Sequence, residues 1–210
     1  MNGKASGGWR RRCGRTALGA VVLGLVLVGC GKAAKSVEDA RASLDEFQRQ
    51  VDLIKQADAS GDMVSAQAAQ ESAAKALRSA KQSFLDAGVD RSHDPALLQE
   101  YADVLASLGD FDLMADVLRR VTAAEPENVK AWGKLGQALA MLGHAHADEA
   151  VKVLRRTISL APREETAAAA HAVLGIVYAQ EHLFDLARES RTRALELDPD
   201  HTGSKIALAA

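Results

Sequence analysis

Apolar positions are spaced in two different ways along this 210-residue chain. Residues 16–28 form an apolar run broken only by Gly19 and Gly24. From residue 36 onward apolar residues recur every three or four positions, the period that aligns one face of an α-helix. Val37, Ala40, Leu44, Phe47, Val51 and Ile54 trace a narrow stripe, with Ser36 placed to cap the helix and Asp39 in its first turn. Ala59, Ser60, Gly61 and Asp62 read as a turn. A second, alanine-rich stripe then runs through Val64, Ala69, Ala73, Leu77, Ala80 and Phe84 to about Ala87. Residues 36–90 are therefore predicted to form a helical hairpin.

Beyond the hairpin the pattern repeats. Pro126, Pro162 and Pro199 lie 36 and 37 residues apart, each closing a segment of helical period. Ala-Leu-Glu-Leu-Asp-Pro at 194–199 and Thr-Ile-Ser-Leu-Ala-Pro at 157–162 are one ending written twice. Residues 168–201 carry Leu174, Gly175, Tyr178, Phe184, Ala187, Ala194 and Pro199; residues 129–164 carry Trp132, Leu135, Gly136, Leu139, Gly143, Ala150, Leu154 and Pro162. Residues 95–128 carry Tyr101, Ala102, Leu105, Gly109, Phe111, Leu118 and Pro126. Extra residues fall in the turn at 144–148 and at 165–167.

These residues at this spacing resemble the tetratricopeptide repeat. The resemblance implies an all-α chain, a right-handed α-solenoid of about three helix-turn-helix repeats over 95–128, 129–164 and 168–201. The hairpin before them is either a divergent repeat or an antiparallel coiled-coil pair. The residue types have a mechanical reason: small side chains at Ala102, Gly136 and Gly175 let two helices approach, and large ones such as Trp132, Leu135 and Leu154 fill the surrounding space. Met114, Val121, Thr157 and His171 depart from the family pattern, His171 standing where a large aromatic is usual. In such repeats the first helices line a concave groove. Carried over position by position, that groove would hold Gln99, Asp103, Lys130, Gln137 and Ile176 among alanines. It would accept an extended segment or helix of a protein partner with an apolar portion, unless the hairpin or the tail of the chain fills it.

The first thirty residues change the picture of where such a scaffold would work. Lys4, Arg10, Arg11, Arg12 and Arg15 precede the apolar run, with no acid before Glu38. Thirteen helical residues reach roughly 20 Å, short of a hydrocarbon core of ~30 Å, which is the signature of a signal peptide rather than a membrane span. Leu27-Val28-Gly29-Cys30 resembles the lipobox of bacterial lipoproteins, which implies cleavage after residue 29 and acylation of Cys30. Residues 30–35 would then be a lipidated tether and the membrane a partner through the lipid. Gly31 stands where an inner-membrane retention aspartate would be, so the expected location is the outer membrane, facing the periplasm.

Removal of residues 1–29 leaves 21 basic against 28 acidic residues, because the leader holds five of the 26 Lys and Arg and no acid. The resulting formal charge of −7 disfavours nucleic acid as a partner. With Cys13 removed and Cys30 acylated, no thiol remains for a disulfide, a metal or a nucleophile. No phosphate loop, zinc-protease helix or hydrolase elbow occurs; His144 and His146 could share a metal with Asp148, but zinc normally takes three or four ligands and no others lie nearby in sequence, so these read as a polar inserted loop and neither catalytic residues, metal nor cofactor is expected. The expected function is a non-enzymatic scaffold in the envelope, serving assembly of a pilus, secretion or outer-membrane complex. The alternative is a solute-binding or cell-wall-enzyme-associated lipoprotein. Residues 202–210 are read as a short stub broken by Gly203. It would leave Leu186, Ala187, Ala194 and Leu197 partly uncovered, and so favour a homodimer or a docked partner helix there.

Overall fold

Antiparallel helix pairs follow one another along the described residues, closed by one last short helix. The computed structural model describes residues 18–163 and 165–209, with side chains over 31–163 and 165–205. The basic arm through Arg15 lies outside the described residues, and so does the side chain of Cys30. Nine α-helices occur among the described residues: α1 (Leu18–Ser60), α2 (Met63–Asp86), α3 (Pro95–Leu108), α4 (Phe111–Ala124), α5 (Val129–Met141), α6 (Ala147–Leu160), α7 (Glu165–Gln180), α8 (Phe184–Leu197) and α9 (Thr202–Ala209). Short 3-10 turns at Val89–Arg91 and His144–His146 join them, and no strand occurs among the described residues. None of these helices is long and apolar enough to cross a membrane.

Local chemistry sets the helix boundaries. The side chains of Asp62, Asp94 and Asn128 accept hydrogen bonds from the backbone N–H of Ser65, Ala96 and Ala131, capping α2, α3 and α5. Pro95 follows its cap at the first turn of α3, where its missing N–H costs nothing. Gly109 closes α3 at φ 76°, a left-handed turn that glycine adopts without strain.

Packing then stacks the pairs. The second helix of each pair lies on the first helix of the next, α2 on α3, α4 on α5, α6 on α7 and α8 on α9, while α5 also packs directly on α7. First helices thus line the inner side of the stack and second helices its outer side. The continuous core includes Tyr101, Leu105, Leu118, Leu135, Leu139 and Leu154, all nearly or wholly buried. Close approach occurs where small residues were expected: a Cβ added at Gly136 would stand 2.4 Å from Leu154 Cδ2, and one at Gly175 would stand 2.7 Å from Arg191 Cγ. Met114, Val121 and Thr157, the departures from the family pattern, are also buried, and Thr157 satisfies its hydroxyl by donating to the Val153 carbonyl.

The hairpin differs from its sequence reading in three ways. Ser36 does not start a helix; its hydroxyl donates to the Lys32 carbonyl within α1. Residues 30–35, expected as a tether, are helical, because Lys32, Ala33, Ala34 and Lys35 are helix formers and no proline or glycine pair stops the turn. Val64 belongs to the solvent at 80% exposure rather than to the α2 stripe. The base of the hairpin stacks as a repeat does, with Phe84 and Tyr101 rings 5.8 Å apart, Arg41 forming a forked pair with Glu100, and Lys81 bonding Asp110. Its far end is a plain helix pair whose buried residues are the alanines Ala57, Ala66, Ala69 and Ala73.

Two later segments also depart from expectation. Residues 165–167, expected as a spacer, are the first turn of α7, and Ala167 is fully buried. Residues 202–209 are helical despite Gly203, and α9 packs on α8. Ala187 and Ala194, expected to be partly uncovered, are buried; Leu186 and Leu197 remain exposed.

Candidate functional site: the groove between α5 and α7

One turn of α5 after another points the same side chains inward. Lys130, Gly133, Lys134 and Gln137 fall on one face by their spacing of three and four, and the first turn is held by the Asn128 cap. Opposite them α7 presents Thr166, Ala169 and Val173, with Glu165 at its start. Between the two helices lies a cavity of about 340 Å³. Gly133 keeps it open on the α5 side, where a Cβ would reach Thr166 Cγ2 at 3.4 Å.

The expected groove residues divide into two kinds. Lys130 and Gln137 line the cavity, are exposed, and have no protein partner among the described residues. Ile176 is 48% exposed one helical turn beyond Val173 and extends the apolar wall of α7. Gln99 and Asp103 do other work. The Asn128 side-chain amide donates to the Gln99 carbonyl oxygen at 3.4 Å, and Gln99 donates to the Pro95 carbonyl. Asp103 is paired with Lys134. Both therefore tie α3 to α5 and are half-committed before any ligand arrives.

Lys134, Thr166 and Val173 were missed by position counting. Lys134 follows Lys130 by one turn, a signal already present in the sequence. Thr166 was missed because residues 165–167 were counted outside the repeat, whereas they extend α7 along the groove. One wall of the groove thus offers Lys130 beside the Asp103-paired Lys134, and the other is small and apolar beyond Glu165 at its start, which suits an extended segment with a carboxylate near an apolar side chain.

Elsewhere the charged groups link repeats. Arg119 of α4 forks onto Glu149 of α6 at 2.9 and 2.8 Å and also meets Asp116; these contacts hold the Glu149 carboxyl below its ordinary range and raise the Arg119 guanidinium further. His144 bonds Glu181 at 2.7 Å, joining the inserted turn to the end of α7. Among the described residues no group of three or more His, Cys, Asp or Glu could hold a metal ion.

The tetratricopeptide repeat profile matches residues 95–138, beginning where the register of the first repeat begins. No curated protein matches the chain in sequence. Among solved structures, YrrB, described as a tetratricopeptide protein with an unusual peptide-binding site, is 21% identical over 83% of this chain and 91% of its own, with a TM-score of 0.59. MamA from Desulfovibrio magneticus RS-1 is 20% identical over 78% of this chain and 82% of its own, at 0.54. A thermophilic tetratricopeptide protein of Thermus thermophilus, TTC0263, is 24% identical over 78% of this chain and 79% of its own, at 0.52. Residues 95–138 belong by sequence to the tetratricopeptide repeat, and the fold around them is a tetratricopeptide-repeat solenoid.

Proposed function

We propose that this protein is a lipid-anchored scaffold of the bacterial envelope that holds an extended segment of a partner protein in the groove between α5 and α7. The observation that carries the binding role is the cavity itself, with Lys130 and Gln137 uncommitted on one wall and Ala169 and Val173 on the other. A segment laid along it would meet Lys130 with a carboxylate and Val173 and Ile176 with an apolar side chain. Support for the anchor comes from the sequence, where a basic arm, an apolar run and Leu27-Val28-Gly29-Cys30 occur in the order of a lipoprotein leader. Two or three acyl chains on Cys30 would hold the protein at a membrane, and the outer membrane facing the periplasm is the location this reading assigns. Service to a pilus, secretion or outer-membrane assembly is the cellular role that follows.

The test separates the two halves. Cys30→Ser should move the protein from the membrane fraction to the soluble fraction and abolish incorporation of a fatty-acid analogue; unchanged fractionation and mass would reject the anchor. A photo-crosslinking residue at position 137 should give a discrete adduct in intact cells that the same residue at position 112, exposed at the start of α4, does not. Equal adducts from both positions would reject the groove as the binding site.

A further inference from the structure

On the outer side of the stack, repeat three lacks a filling that the other two repeats have. The fourth position of each repeat is Leu98, Trp132 and His171 in turn. Leu98 is 1% exposed, and Trp132 packs against the core while its indole N–H donates to the Pro126 carbonyl. His171 is smaller than the indole, and beside it lies a cavity of about 260 Å³ between α6, α7 and α8. Its walls are Ile158, Leu174, Leu186 and the Tyr178 ring. Leu186, 42% exposed, stands at its mouth, so the cavity opens to solvent.

The rim carries two arginines, Arg155 and Arg193, and one acid, Glu189. Arg155 donates to the Tyr178 hydroxyl at 3.1 Å and meets no carboxylate among the described residues. Arg193 is also at the rim, paired with Glu196. Glu189 is the acid lining the cavity, and it forms an ion pair with neither arginine. Burial and the nearby Arg193 hold the His171 imidazole below its ordinary range, against the opposing pull of Glu189 and Glu196. The volume falls below the roughly 300–1,000 Å³ of whole small-molecule sites and suits a single large side chain.

We propose that this outer cleft is a second docking site, taking one aromatic side chain of a partner protein with an acidic residue beside it. The aromatic ring would rest on Leu174 and Tyr178 in the space left by His171, and the neighbouring carboxylate would accept from the Arg155 guanidinium. Aromatic anchors seated in such pockets dominate protein interfaces, whereas the charged rim selects between partners. The cleft lies on the side opposite the α5–α7 groove, so it stands or falls independently of that site.

The probe is acetyl-5-fluorotryptophyl-aspartate amide, with the lysine analogue as control, followed by fluorine NMR line broadening on the full chain in detergent. The wild type should broaden the aspartate probe and leave the lysine probe about tenfold less affected. His171→Trp should fill the cavity, abolish the broadening and keep or raise the melting temperature. Arg155→Glu, a change at an exposed side chain, should reverse the preference between the two probes. Should His171→Trp fail to fold, Arg155→Glu alone decides. Equal broadening by both probes in the wild type, undiminished binding to a folded His171→Trp, or an unchanged preference in Arg155→Glu overturns the proposal.

Discussion

Gly133 and Gly136 stand one turn apart on α5, yet a methyl group would meet different surroundings at each. At Gly136 the new Cβ would stand 2.4 Å from Leu154 Cδ2 and 2.6 Å from Leu154 Cγ, and Leu154 is wholly buried, so it has nowhere to retreat. Gly136→Ala should therefore destabilise the protein by about 1–3 kcal/mol, the range for an overpacked core, despite the helix propensity gained. At Gly133 the nearest atom is at 3.4 Å, close to ordinary contact, and Gly133→Ala should be neutral or stabilising by up to ~1 kcal/mol. Urea unfolding of the pair checks this; equal effects at both positions would mean that α5 and α6 are not as close as the structure has them. The same geometry makes Gly175→Leu destabilising, since its Cβ would meet Arg191 Cγ and the Ala187 carbonyl at 2.7 and 3.2 Å.

Among the elements, the α1–α2 hairpin has two unlike halves. Near its base Ala40, Ala80 and Phe84 join the main core and the Arg41–Glu100 pair crosses to α3. Toward the tip the buried residues are alanines, each removing little apolar area from water, and Leu53, Met63 and Val64 are exposed. Local stability should follow that difference. Backbone amides of residues 50–70 are expected to exchange with solvent faster than those of α3 to α7 under native conditions. Protection at the tip equal to that of α5 would show that something covers those exposed side chains. Ion pairs between elements add less than packing does: the Arg119–Glu149 link is partly exposed, and a pair of that kind contributes up to about 1 kcal/mol.

For the molecule as a whole, the exposed apolar residues around α8 include Leu183 and Phe184 at its start as well as Leu186 and Leu197. Phe111 and Phe184 occupy the same repeat position, but Phe111 packs against the core whereas Phe184 is 66% exposed beside Leu183 at 47%. In the first repeat the surface around that position continues into the packing of α4 on α5. The homodimer expected from the sequence would place a second copy of the chain on this face. Sedimentation of the Cys30→Ser chain should show association that rises with concentration and is weakened by Phe184→Glu more than by Leu197→Glu. A monomer at every concentration rejects the homodimer. Equal effects of the two variants would return the contact to the face through Leu186 and Leu197 that the sequence pointed to.

Much of this architecture is written locally. The three prolines at a near-constant spacing, Gly109 at a left-handed turn, the caps Asp62, Asp94 and Asn128, and small residues at 102, 136 and 175 each act through neighbours in sequence or at fixed repeat positions. The helix pairs and their stacking were legible for that reason, as were Lys130, Gln137 and Ile176 on the inner side. What the sequence left undecided depends on which surfaces meet. Ser36 has the chemistry of a cap and also that of a helix interior, and only the uninterrupted α1 selects between them. Residues 165–167 could have been a spacer; burial of Ala167 under neighbouring helices made them the start of α7 and brought Thr166 into the groove. The pairing of Asp103 with Lys134, which removes both from free service to a ligand, spans two helices that no local rule brings together. The hollow beside His171 likewise exists only because α6 and α8 stand at a separation set by the whole stack, which one small ring cannot fill.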